Sequence, residues 1–331
     1  MDLTASDEIR SFFKNYLSIT HIGETIVPLR FTRPQLDVYA ESEPHKIRSL
    51  SPAGICIDCE TDSPFMEITF SSEAGSRQWL YFDLLVNGML VSHTGWDECP
   101  SGIQTVRLEV PEYLRGQHRL TVYLPHNRNV NIHSIEVADG SETIPLPLHK
   151  KYLLCLGDSI TQGMDALYPY NTYPVQVSRM LGMELLNQGV GGYVFNEASL
   201  DEEIDFKPDL VTVAYGTNDW NRYSSISEFR TMCEEYMNRL SFIFHTCPIL
   251  VLTPLWRSDI EEEKPMGSFE LLTDTIYEVC SDMEHVTVIN GISLTPHIPE
   301  YYKDLSVHPN DIGFLHYGIN LVNAIHANAE V

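Results

Sequence analysis

Apolar and polar positions alternate with period two from about residue 25 to 137, and then the rhythm changes. In "MEITFS", Met66, Ile68 and Phe70 face one way and Glu67, Thr69 and Ser71 the other, as a strand with one buried face requires. "VRLEV" repeats the pattern with Val106, Leu108 and Val110 inward. In "FDLLVNGMLVSH" the pair Asn87-Gly88 separates two such runs, and because both residues tolerate positive φ it predicts a two-residue hairpin turn. About eight strands at this spacing, with no helical run among them, predict an all-β antiparallel sandwich or jelly roll.

The stretch "ADGSETIPLPLHKK" (138–151) is rich in turn formers and carries two prolines, so it reads as a linker or a strand exchanged between domains. Beyond it, unbroken apolar runs at 153–156, 210–214, 249–252 and 286–289 predict strands of a parallel sheet covered on both faces. Helical spacing fills the intervals. "YPVQVSRMLG" puts Val177, Met180 and Leu181 on one face with Gly182 placed to end the helix. Ser225 and Glu228 have capping-box spacing ahead of a helix reaching about His245. Ile312, Leu315, Ile319 and Val322 predict the apolar stripe of a last helix. Alternating strands and helices imply a doubly wound α/β half, giving expected domains of 1–147 and 148–331.

Charge and cysteine content narrow the function. The chain of 331 residues carries 21 Lys plus Arg against 46 Asp plus Glu, a formal charge of −25, which repels phosphate backbones and anionic membrane surfaces. Neither nucleic acid nor membrane is an expected partner. The first residues lack the basic start and apolar core of a secretory signal, and the seven cysteines are an odd number scattered along the chain, so a reducing cytoplasmic setting is expected. The lone CxxC, Cys56 and Cys59, has no second pair at zinc-ribbon spacing, which favours two half-buried strand thiols.

Four short motifs follow strands in order: "GDSITQG" from Gly157, "NQGVGG" from Asn187, "YGTNDW" from Tyr215 and "DLSVHPND" from Asp304. The carboxyl ends of parallel strands are where open α/β sheets gather reactive groups. Ser159 taken alone reads equally well as part of a helix cap. Taken with a distant histidine, His308, it becomes a nucleophile with its base, and Gly192, Asn218 and the Ser159 amide become candidate oxyanion donors.

These ordered blocks resemble the SGNH, or GDSL-type, hydrolase family over roughly the carboxyl-terminal 180 residues. The resemblance implies a flavodoxin-like three-layer sandwich with a five-stranded parallel sheet. It implies Ser159 as nucleophile, His308 as general base, and the amides of Ser159 and Gly192 with the Asn218 side chain as the oxyanion hole. It implies no cofactor and no metal. The β half is similar to the jelly-roll domains that precede the catalytic domain in some carbohydrate esterases, with "VYLPHNRNVNIHSIEV" (122–137) carrying that likeness.

One departure stands out. The family's acid lies three residues before the histidine, where this chain has Leu305, and Asp304 lies four before. Either the loop bulges so that Asp304 orients His308, or a backbone carbonyl does so in a Ser-His dyad; a carboxylate gives an imidazolium more, which favours Asp304. Asp158, Trp220, Trp256 and Arg257 are candidate substrate contacts, since aromatic rings stack on sugars and a guanidinium meets carboxylates and hydroxyls. Asp158 and Asp219 read better as loop caps than as a metal pair. The expected activity is hydrolysis of a short-chain acyl ester, an O-acetyl group on a carbohydrate, through an acyl-enzyme on Ser159, with a small-molecule or oligosaccharide ester as the expected partner. Acyl transfer to an alcohol and lysophospholipase-type hydrolysis are the alternatives within the class, and an inactive carbohydrate-binding protein is the alternative outside it.

Overall fold

The computed structural model describes residues 1–6 and 8–328. In the amino-terminal half two antiparallel sheets face each other. One runs Phe13–Lys14, Cys56–Thr61, His118–Tyr123, Leu80–Val86 and Met89–Trp96, and Thr143–Pro145 pairs with the outer side of Cys56–Thr61. The other runs Ser18–Ile22, Thr25–Leu29, Asn131–Val137, Phe65–Ser71 and Ile103–Glu109. Met66, Ile68 and Phe70 interdigitate with Phe82, Leu84, Leu120 and Val122 in the shared core. The hairpin turn falls at Asn87 (φ 50°) and Gly88 (φ 82°), as the sequence predicts. The 138–151 stretch is part linker and part strand, since Thr143–Pro145 joins the first sheet.

The expectation of an all-β half without helices fails between the strands Thr25–Leu29 and Cys56–Thr61. Two helices, Arg33–Tyr39 and Glu43–Ser49, interrupt them. The first begins with a complete capping box, Thr32 with Gln35, and has proline in its first turn. Phe31 and Tyr39 bury themselves against the α/β half rather than in the sandwich. These residues therefore serve the interface between the halves, which strand periodicity does not register.

In the carboxyl-terminal half five parallel strands are ordered Glu184–Gly189, Tyr152–Gly157, Leu210–Ala214, Ile249–Leu252 and Val286–Ile289. Numbered along this half the order is 2-1-3-4-5, the flavodoxin-like arrangement, whose switch point lies between the first and third strands. Alternate residues of the strands serve opposite layers. Leu154, Leu156 and Val211 pack under the helices Ile226–Ile243 and Phe269–Cys280, while Leu153, Cys155 and Leu210 pack under Tyr173–Leu181 and Asp311–Asn328. Glu184–Gly189 escapes the apolar-run criterion because three of its six buried residues are Glu184, Asn187 and Gln188.

The last helix corrects a second expectation. Ile312, Leu315 and Ile319 are exposed, and only Val322 of the expected stripe is buried. Phe314, Tyr317, Leu321 and Ile325 form the inner face, with Gly313 and Gly318 beside them. A Cβ on Gly313 would lie 2.3 Å from the Tyr301 carbonyl oxygen, so glycine is what lets this helix seat.

Candidate active site

The first strand of the parallel sheet ends at Gly157, where a Cβ would lie 2.1 Å from Thr161 Oγ1. The chain then turns into the single helical turn Ser159–Gln162, closed by Gly163 at φ 90°. Asp158 caps this turn by accepting from the Ile160 amide at 2.9 Å. Capping thus falls to Asp158 and leaves the Ser159 hydroxyl for His308, whose Nε2 lies 2.9 Å from Ser159 Oγ. His308 Nδ1 in turn lies 2.7 Å from Asp304 Oδ2.

The extra residue of the Asp-to-His spacing is absorbed at Leu305, which adopts a left-handed φ of 58°. The bulge lets Asp304 Oδ1 accept the amides of Ser306, Val307 and His308 at 2.9, 2.8 and 3.1 Å while Oδ2 meets the imidazole. Half-burial alone would raise the Asp304 pKa, but the His308 contact and these amides outweigh it and hold the carboxyl well below its ordinary range. A second carboxylate approaches the same imidazole nitrogen. Asp165 Oδ2 lies 3.6 Å from His308 Nδ1, and both Asp165 oxygens are clamped by Arg77 of the β half at 2.6 and 2.7 Å. Asp165, Asp304 and His308 are also the one group of three potential metal ligands among the described residues. Their oxygens are already engaged by the guanidinium, the amides and the imidazole.

Two of the expected oxyanion donors lie on the loops that follow Glu184–Gly189 and Leu210–Ala214. Gly192 has φ 79°, and the Asn218 side-chain amide donates to the Tyr193 carbonyl at 3.0 Å and to Asp158 Oδ2 at 3.2 Å. Burial pushes Asp158 up to about 7, and Asp219, which accepts the amides of Phe195 and Gly216, likewise up to about 7. Asn187 performs a turn function, donating to Thr161 O and accepting from the Gly189 amide.

Several expected substrate contacts are committed elsewhere. Trp220 is 0% exposed, packs edge-on against Phe269 and donates its indole N–H to Gly267 O. It is a core side chain, because the helix turn that begins at Asp219 rotates it inward. Arg257 is buried, paired with Asp259 and hydrogen-bonded to Thr217 O, so it braces the loop preceding Asn218. Asp158 is 1% exposed and occupied as a cap. Trp256 is half-buried, stacked on His297 and tilted against Tyr302. Cys56 and Cys59 sit three apart on one strand and face different cores, so they cannot share an ion.

The amino-terminal half supplies residues that no motif announced. Fully buried Arg30 donates to the carbonyls of Asn187 and Gly189 at 2.6 and 3.0 Å, and to those of Ser51 and Arg48 at 2.6 and 3.0 Å. Arg48 donates to Gly191 O at 2.8 Å. The Arg77–Asp165 clamp joins residues 88 apart in sequence. The only sequence signal for any of these is the Thr32–Gln35 capping box, which marks a helix that strand periodicity passes over.

A serine hydroxyl, an imidazole and a carboxylate in hydrogen-bonded series, at 2.9 and 2.7 Å, have the geometry of a nucleophile, its base and an orienting acid. Residues 155–314, within the α/β half, match the model of the GDSL-like Lipase/Acylhydrolase family. An acetylxylan esterase of Xylanibacter ruminicola is 30% identical over 122 residues, spanning 32% of this chain and 25% of that protein. The match thus covers a quarter of that curated relative. Among solved structures, a salicylyl-acyltransferase of a tetracycline biosynthetic pathway superimposes with a TM-score of 0.79 at 16% identity, over 95% of this chain and 94% of that one. A family two carbohydrate esterase from Clostridium thermocellum, solved with cellohexaose, gives a TM-score of 0.64 at 14% identity over 84% and 93%. At these identities the likeness is one of fold, and it extends through both halves.

Proposed function

We propose that the protein is a serine carboxylic ester hydrolase acting on short acyl esters, an O-acetyl group on a carbohydrate in particular. The observation that carries this reading is the continuous series Ser159 Oγ, His308 and Asp304, joined at 2.9 and 2.7 Å beyond the carboxyl end of Tyr152–Gly157, the first strand of the parallel sheet in chain order. With Nδ1 carrying the proton that Asp304 accepts, His308 Nε2 takes the Ser159 hydroxyl proton as Oγ bonds the acyl carbon. The carbonyl oxygen becomes an oxyanion facing the Ser159 and Gly192 amides and Asn218 Nδ2. His308 then protonates the departing alkoxide, and water repeats the sequence to free the acid and restore Ser159. None of these steps calls on a cofactor.

The acetyl preference and the carbohydrate alcohol rest on the acetylxylan esterase relative and the carbohydrate esterase folds. We also propose the unit boundaries 1–147 and 148–331, with 30–51 docked onto the catalytic unit, and a cytoplasmic setting supported by seven unpaired cysteines. No helix among the described residues is long and apolar enough to cross a membrane. Acetate release from acetylated xylo-oligosaccharides, compared with hydrolysis of p-nitrophenyl octanoate, tests the choice. Acetate release with poor octanoate turnover supports it, and a steep preference for octanoate refutes it. The likeness to an acyltransferase over nearly the whole chain motivates one added arm: acyl transfer to a supplied alcohol outpacing hydrolysis would assign the acyl-enzyme a different acceptor.

A further inference from the structure

We propose that Arg48, on the Glu43–Ser49 helix of the amino-terminal half, is a positioning residue that sets the Gly191–Gly192 peptide with its N–H toward the oxyanion. This rests on the esterase reading above, in which the Gly192 amide is an oxyanion donor. The carbonyl and N–H of a trans peptide point in opposite directions, so whatever holds the Gly191 oxygen fixes where the Gly192 hydrogen aims. Arg48 Nη1 donates to that oxygen at 2.8 Å. On its other side Gly191 donates its own amide to Gln162 Oε1 at 2.9 Å, so both polar groups of Gly191 are tied. Gly192 stands at φ 79°, and a Cβ there would lie 2.8 Å from Arg48 Nη1, which places the guanidinium directly against the donor residue.

The anchor is itself anchored. Arg30 Nη2 donates to the Arg48 carbonyl at 3.0 Å, while Arg30 Nη1 holds Asn187 O and Gly189 O on the strand that feeds the donor loop. Gln162, from the turn that carries Ser159, reaches Ser51 Oγ at 3.1 Å and His126 O at 3.2 Å. One network thus joins the nucleophile turn, the donor loop and the β half. Arg48 spends its hydrogen bond on a carbonyl rather than on a carboxylate, and a cationic donor on a peptide oxygen also polarises the attached N–H toward stronger donation.

The test uses the whole chain: wild type, Arg48→Ala, Arg48→Lys and Ser159→Ala, with p-nitrophenyl acetate as substrate and thermal melting as control. Deleting one oxyanion donor costs about 10²–10³ in kcat, and Arg48→Ala misaims a donor without deleting it, so a loss of about 10–10² is expected. KM stays near the wild-type value. Millimolar guanidinium restores part of the Arg48→Ala rate and leaves wild type unaffected. Arg48→Lys keeps the cation but not the planar fork, and is expected to melt like wild type with an intermediate kcat; it decides the question should Arg48→Ala fail to fold. An unchanged kcat overturns the proposal, as does a raised KM at constant kcat, which would make Arg48 a substrate contact. Activity surviving in Ser159→Ala would instead overturn the esterase reading itself.

Discussion

Replacing Asp304 with asparagine isolates the charge at the end of the hydrogen-bonded series. Asparagine keeps an oxygen for the three amides that Asp304 Oδ1 accepts, so the Leu305 bulge is preserved, and it turns an NH2 toward His308 Nδ1. What is lost is the attraction between the carboxylate and the imidazolium that forms as Ser159 attacks. Nδ1 and Oδ2 are 2.7 Å apart, with the side chains 23% and 38% exposed. That exposure calls for an effective dielectric of about 40, between about 20 near a protein surface and about 80 in water. The interaction is then about 3 kcal/mol, or roughly 10² in kcat. The amide also disfavours the tautomer that leaves Nε2 free, so the expected loss lies between about 10² and 10⁴. Steady-state hydrolysis of p-nitrophenyl acetate, with melting curves to show an intact fold, measures it. A kcat within about twofold of wild type would refute the reasoning. The double variant Asp304→Asn/Asp165→Asn would then separate a true Ser-His dyad from takeover by Asp165.

Three further outcomes follow from the same geometry. Asn218→Ala should lower kcat by about 10²–10³ with little change in melting temperature, and an unchanged kcat would remove it from the oxyanion hole. Burial raises Asp219 to about 7 from an ordinary value near 4, so the folded protein holds a proton that the unfolded chain releases between those pH values. The stability this contributes is full below about pH 4 and is lost as pH rises to about 7; Asp219→Asn should flatten the fall in urea-unfolding stability across that window, and an unaltered slope would contradict the assignment. Trp220→Ala should cost about 3–5 kcal/mol of stability, while Trp220→Phe should leave KM for acetylated oligosaccharides unchanged; a large KM shift would return Trp220 to the pocket.

The parts of the molecule legible in the sequence are those in which local chemistry and final position agree. Asn87-Gly88 must be a tight turn wherever it sits, and 66–70 alternates because one face is covered. The four blocks could be read because each follows a strand of the parallel sheet in the chain. Legibility fails where one residue serves a distant partner. Glu184–Gly189 is a buried strand with polar side chains, since Asn187 and Gln188 satisfy neighbouring loops and Arg30 O rather than packing against lipid-like surface. The last helix presents two apolar faces, and a rule that weighs large side chains chooses Ile312, Leu315 and Ile319 over the face on which glycines permit close approach. Arg30, Arg48 and Arg77 carry no pattern at all. Their positions follow from the docking of one half on the other, and a charge that pairs with a carbonyl more than a hundred residues away leaves no local trace.

The most direct test of the central claim is hydrolysis of p-nitrophenyl acetate by wild type and Ser159→Ala, each with and without a chelator. Wild type should turn over the ester with chelator present, and Ser159→Ala should be inactive while retaining the fold. Turnover persisting in Ser159→Ala would place the chemistry on another group and contradict the account.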